Sequence, residues 1–160
     1  MSAESGVTKL ENELRDQLIG LIESKCLDPL EILLQDSEAL RELRARVRAA
    51  AADWARTMLG ADDGAAIAAT VRMVAVLYPG DEPFDPPVAW WRTPMGQATA
   101  RRVGHPTSDR VSYPVAGAML KITRQGVHDL VTRGKLERHP DGGVIPASIR
   151  DRLRTAAQGT

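Results

Sequence analysis

The chain has 160 residues, which fits one domain or one domain with a small additional module. Its 21 Lys and Arg residues balance 21 Asp and Glu residues, so the formal net charge is zero. A single cysteine, Cys26, excludes an internal disulfide, and the absence of a Cys/His cluster excludes a typical zinc site. Cys26 lies among apolar residues, which favours a buried, inert thiol over a reactive one.

The charge is distributed unevenly along the chain. Residues 1–100 hold 10 Lys/Arg and 16 Asp/Glu, a charge of −6, whereas residues 101–160 hold 11 and 5, a charge of +6. All three histidines also lie in the second segment. This division favours two modules with different partners, of which the basic one suits a polyanion. The alternative is that the two halves simply attract each other.

Residues 1–78 are predicted to form an acidic helical domain that serves dimerisation or partner binding. Apolar residues recur every three or four positions over residues 7–22, which predicts an amphipathic helix. Asp28 is expected to cap a short second helix, with Pro29 at its first position and its end near Leu34.

A third and a fourth helix are predicted to complete this domain. Asp36 or Ser37 is expected to cap the third, which ends at Gly60. Asp62 or Asp63 is expected to cap the fourth. The third helix carries an apolar seam close to a heptad pattern: Leu40, Leu43, Val47, Ala50, Trp54 and Met58.

The fourth helix is apolar nearly all round over residues 65–77, and such a helix is normally buried on most sides. It fits either the centre of the bundle or a homodimer interface, and we expect a homodimer through the N-terminal helices. Its length falls short of the roughly 20 residues that a membrane span needs, and the N-terminal sequence shows no secretory pattern. We therefore expect a cytoplasmic, nucleoid-associated protein without membrane contact.

Residues 79–110 are predicted to be a proline-rich linker with one short helix. Four prolines and one glycine lie within residues 79–89, a composition typical of a loop or an extended linker. Thr93-Pro94 predicts the start of the short helix. Trp90 and Trp91 precede it, either as anchors that dock the linker onto a domain or as residues for base stacking or a ligand cage.

Residues 111–160 are predicted to form a basic winged helix-turn-helix domain. Ser112 and Thr123 are expected to cap two short helices, the second ending at Gly134. Two such helices with a tight turn between them are typical of a helix-turn-helix, and the small Ala116 is expected to let them approach closely.

A β-hairpin is predicted to follow these helices over residues 135–145. Asp141-Gly142 is a strong signal for a two-residue hairpin turn, and Pro146 is expected to open a last helix. The expected fold is therefore mainly α, with an N-terminal helical bundle followed by a small winged helix-turn-helix domain that contains one β-hairpin.

The C-terminal segment reads Ala116-x-x-x-Leu120-x-Ile122-Thr123-Arg124-Gln125-x-Val127-x-x-Leu130-Val131-x-x-Gly134-x-Leu136, followed by an Asp-Gly-Gly turn. This pattern resembles the winged helix-turn-helix of the MerR and excisionase group, over residues 112–154, about a quarter of the chain. Lys121 stands where that family usually has glycine, and Gly126 lies inside the second helix. The resemblance implies a sequence-specific protein for double-stranded DNA, as in a bacterial or phage transcriptional regulator.

The resemblance further implies that helix 123–133 reads the major groove and that the wing 135–145 contacts the flanking backbone or minor groove. Arg124 is expected to read guanine and Gln125 adenine, because each offers the matching bidentate geometry. Asp129 is expected to be turned aside by pairing with Arg133. The predicted DNA-binding residues are Lys121, Thr123, Arg124, Gln125, His128, Thr132, Arg133, Lys135, Arg138 and His139.

Another interpretation of the same residues stays open. Exposed arginines often form only a solvated helix face, and helix-turn-helix domains also dock proteins. The alternative function is a protein–protein adaptor or antitoxin-like component whose N-terminal helices bind a partner, which the alanine-rich helix 65–77 favours. Motifs such as GxSxG, HExxH and the phosphate-binding GxxxxGK[ST] do not occur, so we expect no enzyme, no cofactor and no metal.

Overall fold

The computed structural model describes residues 2–35 and 37–158. The chain divides into two compact units, unit 1 with residues 1–79 and unit 2 with residues 80–160. The regular structure of both described units is helical, which agrees with the expectation of a mainly α protein. Within the described ranges, no helix is both long and apolar enough to cross a membrane.

Unit 1 is a helical assembly in which the third helix packs against the first and the fourth. A π-helical turn at Glu23–Leu27 joins the first helix to the second without a break. The helices of unit 1 are α1 (Ser2–Ile22), α2 (Asp28–Leu34), α3 (Glu38–Leu59) and α4 (Asp63–Leu77).

The helix starts in unit 1 were predicted with partial success. Ser37 Oγ accepts the N–H three residues further on at 3.2 Å, and the Asp62 carboxylate does the same at 3.0 Å, so both expected caps are confirmed. Asp36, the other expected cap of α3, lies outside the described residues. The expected cap at Asp28 was wrong. The chain is already helical before this residue, and in the described helix α2 the Asp28 side chain accepts no hydrogen bond from a first-turn N–H.

The core of unit 1 departs from the seam expected along α3. Leu40 and Met58 are buried as predicted, but Leu43 is 40% exposed. Ala51 and Ala55 are buried instead. A straight helix drifts away from a heptad pattern over successive turns, so the packed stripe shifts from the seam positions to their neighbours. On α1 the buried residues follow a spacing of four: Leu14, Leu18 and Ile22.

Unit 2 includes the segment that composition had assigned to a linker. Residues 80–110 contribute a 3₁₀ turn and a helix that pack against the later helices of the same unit. The described elements of unit 2 are the 3₁₀ turn Val88–Arg92 and the helices α5 (Pro94–Arg102), α6 (Tyr113–Leu120), α7 (Arg124–Thr132) and α8 (Pro146–Gln158).

An aromatic cluster forms the centre of unit 2. Trp91 is completely buried and Trp90 is 9% exposed, and their rings meet edge-to-face with centroids 4.9 Å apart. Phe84 packs edge-on against Trp90 at 5.1 Å. Gly96 fits beneath them, since a Cβ there would lie only 2.6 Å from the Trp91 Cα. The burial of the tryptophans supports their interpretation as anchors and leaves no open ring face for base stacking.

The predicted β-hairpin wing over residues 135–145 is wrong. In the described part of the chain this segment forms isolated β-bridges and no strand. Val144 pairs with Arg138 on one side and exchanges two 2.9 Å backbone hydrogen bonds with Val111 on the other. Pro140 lacks an N–H, and the two glycines after the turn have positive φ, so the extended backbone is interrupted on both sides. We call residues 135–145 the α7–α8 loop.

Candidate nucleic-acid interface

Two short helices, α6 and α7, pack together across the three-residue turn 121–123. Ser112 Oγ accepts the Val115 N–H at 3.4 Å, and Thr123 Oγ1 accepts the Gly126 N–H at 3.1 Å, so both predicted caps are confirmed.

Gly117 is a point of close approach between these two helices, next to the completely buried Ala116. A Cβ on Gly117 would lie 2.9 Å from the Ile122 carbonyl oxygen and 3.6 Å from a Val127 methyl group. The turn that leads into α7 therefore rests directly on the α6 backbone, and this contact sets the position of α7.

Lys121 occupies the left-handed region at the end of α6, with φ 56° and ψ 37°. The Ile122 N–H donates to the Gly117 carbonyl at 2.9 Å, which closes the turn in the manner of a Schellman motif. The position favours glycine, because a side chain there costs about 1–2 kcal/mol. The lysine side chain is exposed at the start of α7 despite this cost.

Gln97 holds the end of α6 from the side of α5. Its Nε2 donates to the Trp91 carbonyl at 2.6 Å and to the Ala118 and Met119 carbonyls at 3.1 Å each. Both of these carbonyls lie in the last turn of α6, and the Ala118 carbonyl also accepts the Lys121 N–H at 3.3 Å. Sequence analysis missed this residue, since a glutamine in a short polar helix carries no local signal of such a role.

The predicted reading residues lie on the exposed side of α7. Val127 is completely buried against α6, and the side chains of Arg124, Gln125, His128 and Thr132 are exposed. The amphipathic pattern expected for this helix is confirmed. The His128 ring also lies near the Tyr113 ring of α6, with centroids 6.3 Å apart.

Asp129 is paired differently from the prediction. Its Oδ1 accepts a hydrogen bond from Gln125 Nε2 at 3.0 Å, one helical turn towards the N-terminus. The expected partner, Arg133, is the C-cap of α7, with φ −83° and ψ 3°, and its N–H still donates to the Asp129 carbonyl at 3.0 Å. The Asp129 carboxylate is thus engaged by Gln125 and not by the expected arginine.

The remaining predicted residues surround the two ends of α7. Lys121 and Thr123 are exposed at its start, and Arg133 and Lys135 are exposed beyond its end. Gly134 between the last two has φ +67°, which turns the chain away from the helix axis. The cations Lys121, Arg133 and Lys135 therefore border the exposed face of α7 at its two ends.

Of the predicted contact residues in the α7–α8 loop, Lys135 and Arg138 are exposed and His139 is largely enclosed. The His139 side chain is only 15% exposed, its Nδ1 accepts the Asp141 N–H at 3.1 Å, and its Nε2 lies 3.5 Å from the Asp109 carboxylate. Arg110 fastens the same loop by donating to the Asp141 carbonyl at 2.9 Å. His139 thus belongs to the support of the loop, outside the exposed set.

A cleft of about 730 Å³ lies on unit 2, bordered by Phe84, His105, Arg110 and the glycines of the α7–α8 loop. His105 Nδ1 accepts the N–H groups of Thr107 at 3.2 Å and Ser108 at 3.0 Å. Burial lowers the pKa of His105, and the nearby Asp85 carboxylate partly offsets this. The described residues contain no group of three or more His, Cys, Asp or Glu side chains placed to hold a metal.

Comparison with known proteins found no match, either among protein-family models or among curated proteins and solved structures. Function is therefore inferred from the residues of this chain and their arrangement.

Proposed function

We propose that the chain is a sequence-specific double-stranded DNA-binding protein that acts as a bacterial or phage transcriptional regulator. The observation that carries the proposal is the exposed face of α7, where Arg124, Gln125 and His128 project side by side. An α-helix fits the major groove, where arginine and glutamine match guanine and adenine in bidentate fashion. The resemblance of residues 112–154 to the MerR and excisionase group supports the same function.

The flanking cations take the role of phosphate contacts in this proposal. Lys121 precedes α7 and Lys135 follows it, so together they bracket the reading face. Such contacts fix the register of a protein on the duplex but carry no sequence information. Arg138 reaches the neighbouring backbone or minor groove from the α7–α8 loop, which takes the place of a hairpin wing.

The substitution Arg124→Ala tests the reading face. A selection from random duplexes with the full-length protein first identifies the site, and fluorescence anisotropy then compares the variant with the wild type. Loss of a bidentate guanine contact should cost about 1–3 kcal/mol and relax the preference at one base pair. Arg92→Ala, which removes an exposed cation from the 3₁₀ turn, should leave that preference intact. Unchanged affinity and preference in Arg124→Ala would show that α7 does not read bases.

We infer further that the regulator is a homodimer through its N-terminal helices. The observation behind this is the uncovered side of α4, where Val71 is 46% and Val76 is 56% exposed on an apolar helix. The double variant Val71→Glu/Val76→Glu should halve the mass measured by light scattering and reduce a selected inverted repeat to a half-site. Ala49→Glu, at an exposed site of α3, should keep the wild-type mass. An unchanged mass in the double variant rejects α4 as the interface.

The adaptor function remains the second candidate, because α2 exposes an apolar surface of its own. Its residues are all at least partly exposed, with Ile32 at 78% and Leu33 at 76%. Arg44 hydrogen-bonds both Asp28, at 2.9 Å, and Glu31, which holds α2 in place and raises the pKa of Arg44.

The double variant Ile32→Glu/Leu33→Glu separates the two candidates. If a stoichiometric partner protein co-purifies with the wild type and is lost from this variant, while neither binds DNA, the adaptor function is correct. If self-association is lost instead, the α2 surface belongs to the homodimer. Stability should change by less than about 0.5 kcal/mol, since both side chains are exposed.

A further inference from the structure

The carboxylate of Asp129 lies on the exposed side of α7, within the face proposed to meet DNA. A negative charge there repels phosphates, so its presence calls for a physical reason. The Asp129 Oδ1 accepts a hydrogen bond from Gln125 Nε2 at 3.0 Å. Because a carboxylate can only accept, Gln125 has to turn its amino group towards Asp129 and its oxygen away.

This hydrogen bond alters what the Gln125 amide can offer to a base. A free glutamine amide presents two N–H donors and one oxygen acceptor. With one N–H engaged by Asp129, a single donor and a single acceptor remain. In the major groove adenine shows one acceptor, N7, and one donor, the N6 amino group, whereas guanine shows two acceptors, N7 and O6. The engaged amide therefore matches adenine and lacks the second donor that guanine requires.

We propose that Asp129 is a positioning residue that determines specificity, because it holds Gln125 in the orientation that accepts adenine and rejects guanine. The inference rests on the proposed DNA-reading function and adds a rule of base choice to it. Asp129 weakens attraction to every duplex through its charge and strengthens discrimination between duplexes through its hydrogen bond. This role gives a physical reason for the presence of an acidic residue within a basic surface.

The test compares affinities of full-length variants for duplexes that differ at the one base pair read by residue 125. That base pair is identified as the position whose preference Gln125→Ala removes. Asp129→Ala should bind all duplexes more tightly, because repulsion is removed, while its preference for adenine over guanine falls from about tenfold or more towards onefold. The double variant Gln125→Ala/Asp129→Ala should have the same base preference as Gln125→Ala alone, since both substitutions break the same pair of interacting residues.

Two further variants separate orientation from charge. Asp129→Asn removes the charge but keeps an acceptor oxygen, and it should retain the preference that Asp129→Ala loses. Asp151→Ala removes one negative charge from α8 and should leave the preference unchanged. If Asp129→Ala keeps the adenine preference, or if Asp129→Asn loses it equally, the positioning role is rejected while the DNA-binding function stands. If the wild type selects no duplex sequence, the proposed function itself fails.

Discussion

The two units leave different kinds of surface uncovered. In unit 1 the exposed surface includes large apolar side chains on α2 and α4, whereas Val88 is the one large hydrophobic residue of described unit 2 that is comparably exposed. In unit 2 the uncovered helix face carries Arg124, Gln125 and His128. Apolar surface is stabilised by contact with other protein, and cationic surface by contact with a polyanion. This difference is what the proposal predicts, with protein association through unit 1 and DNA binding through unit 2.

The largest expected effect concerns the hydrophobic core of unit 2, because an extended linker would have no such core. Trp91→Ala should lower the free energy of unfolding by about 3–5 kcal/mol, because a completely buried indole leaves a large cavity. Urea denaturation followed by far-ultraviolet circular dichroism measures the loss. Val88→Ala, three residues earlier and 39% exposed, should cost much less. If both variants lose equally little free energy of unfolding, residues 80–110 behave as a linker.

A pair of glycines compares the packing of the two units directly. Gly96→Ala should destabilise unit 2 by about 1–3 kcal/mol or more, since its Cβ would collide with the Trp90 carbonyl. Gly20→Ala, on an open stretch of α1 with nothing within 4 Å, should instead stabilise unit 1 by about 0.5–1 kcal/mol. Thermal unfolding of both variants tests the opposite signs, and a shift of the same sign contradicts the comparison.

A third substitution is expected to raise stability and weaken DNA binding at the same position. Lys121→Gly should raise stability by about 1 kcal/mol, because glycine tolerates the left-handed backbone. It should also reduce the salt dependence of DNA affinity by about 0.9 in slope, through loss of one phosphate contact. Lys135→Ala, an exposed cation in ordinary backbone, should give the second effect without the first. If Lys121→Gly gains stability and keeps its salt slope, Lys121 does not contact DNA.

The smallest expected effect is a pH dependence of the stability of unit 2. Burial lowers the pKa of His105 below its ordinary 6.5, so the unfolded chain takes up the proton first as the pH falls. The stability contribution is fully present above about pH 6.5 and is lost as the pH falls through the folded pKa. His105→Asn keeps an acceptor for the Thr107 and Ser108 N–H groups and should melt with less acid sensitivity. An identical decline in melting temperature on acidification would exclude His105 as the cause.

The helix caps were predictable from the sequence because capping is a local interaction. Ser37, Ser112 and Thr123 each bond the N–H three residues further on, and this spacing is visible without any knowledge of the fold. The polar face of α7 follows equally from the position of its buried Val127. In these cases the residues that interact are close together in the sequence.

The errors came from interactions between distant residues. The Asp141-Gly142 signal produced isolated bridges and no hairpin: Val144 bridges Arg138 on one side and pairs with the distant Val111 on the other. The proline-rich composition of residues 79–89 indicated a linker, and only contacts with helices that follow much later place residues 80–110 in unit 2. The pairing of Asp129 is an exception, because both Gln125 and Arg133 lie within one turn of it in the sequence, and its carboxylate accepts from Gln125.

The three hydrogen bonds of Gln97 bear on whether α6 and α7 can be transplanted to another protein. Its amide joins the carbonyl of Trp91 to the two carbonyls that end α6. A chimera that carried only residues 112–154, the extent of the family resemblance, would leave those α6 carbonyls without this donor. We expect a chimera to need residues 88–102 as well for α6 and α7 to keep their structure. The shortest segment that can be transferred is therefore set by Gln97 and not by the sequence pattern of residues 112–154.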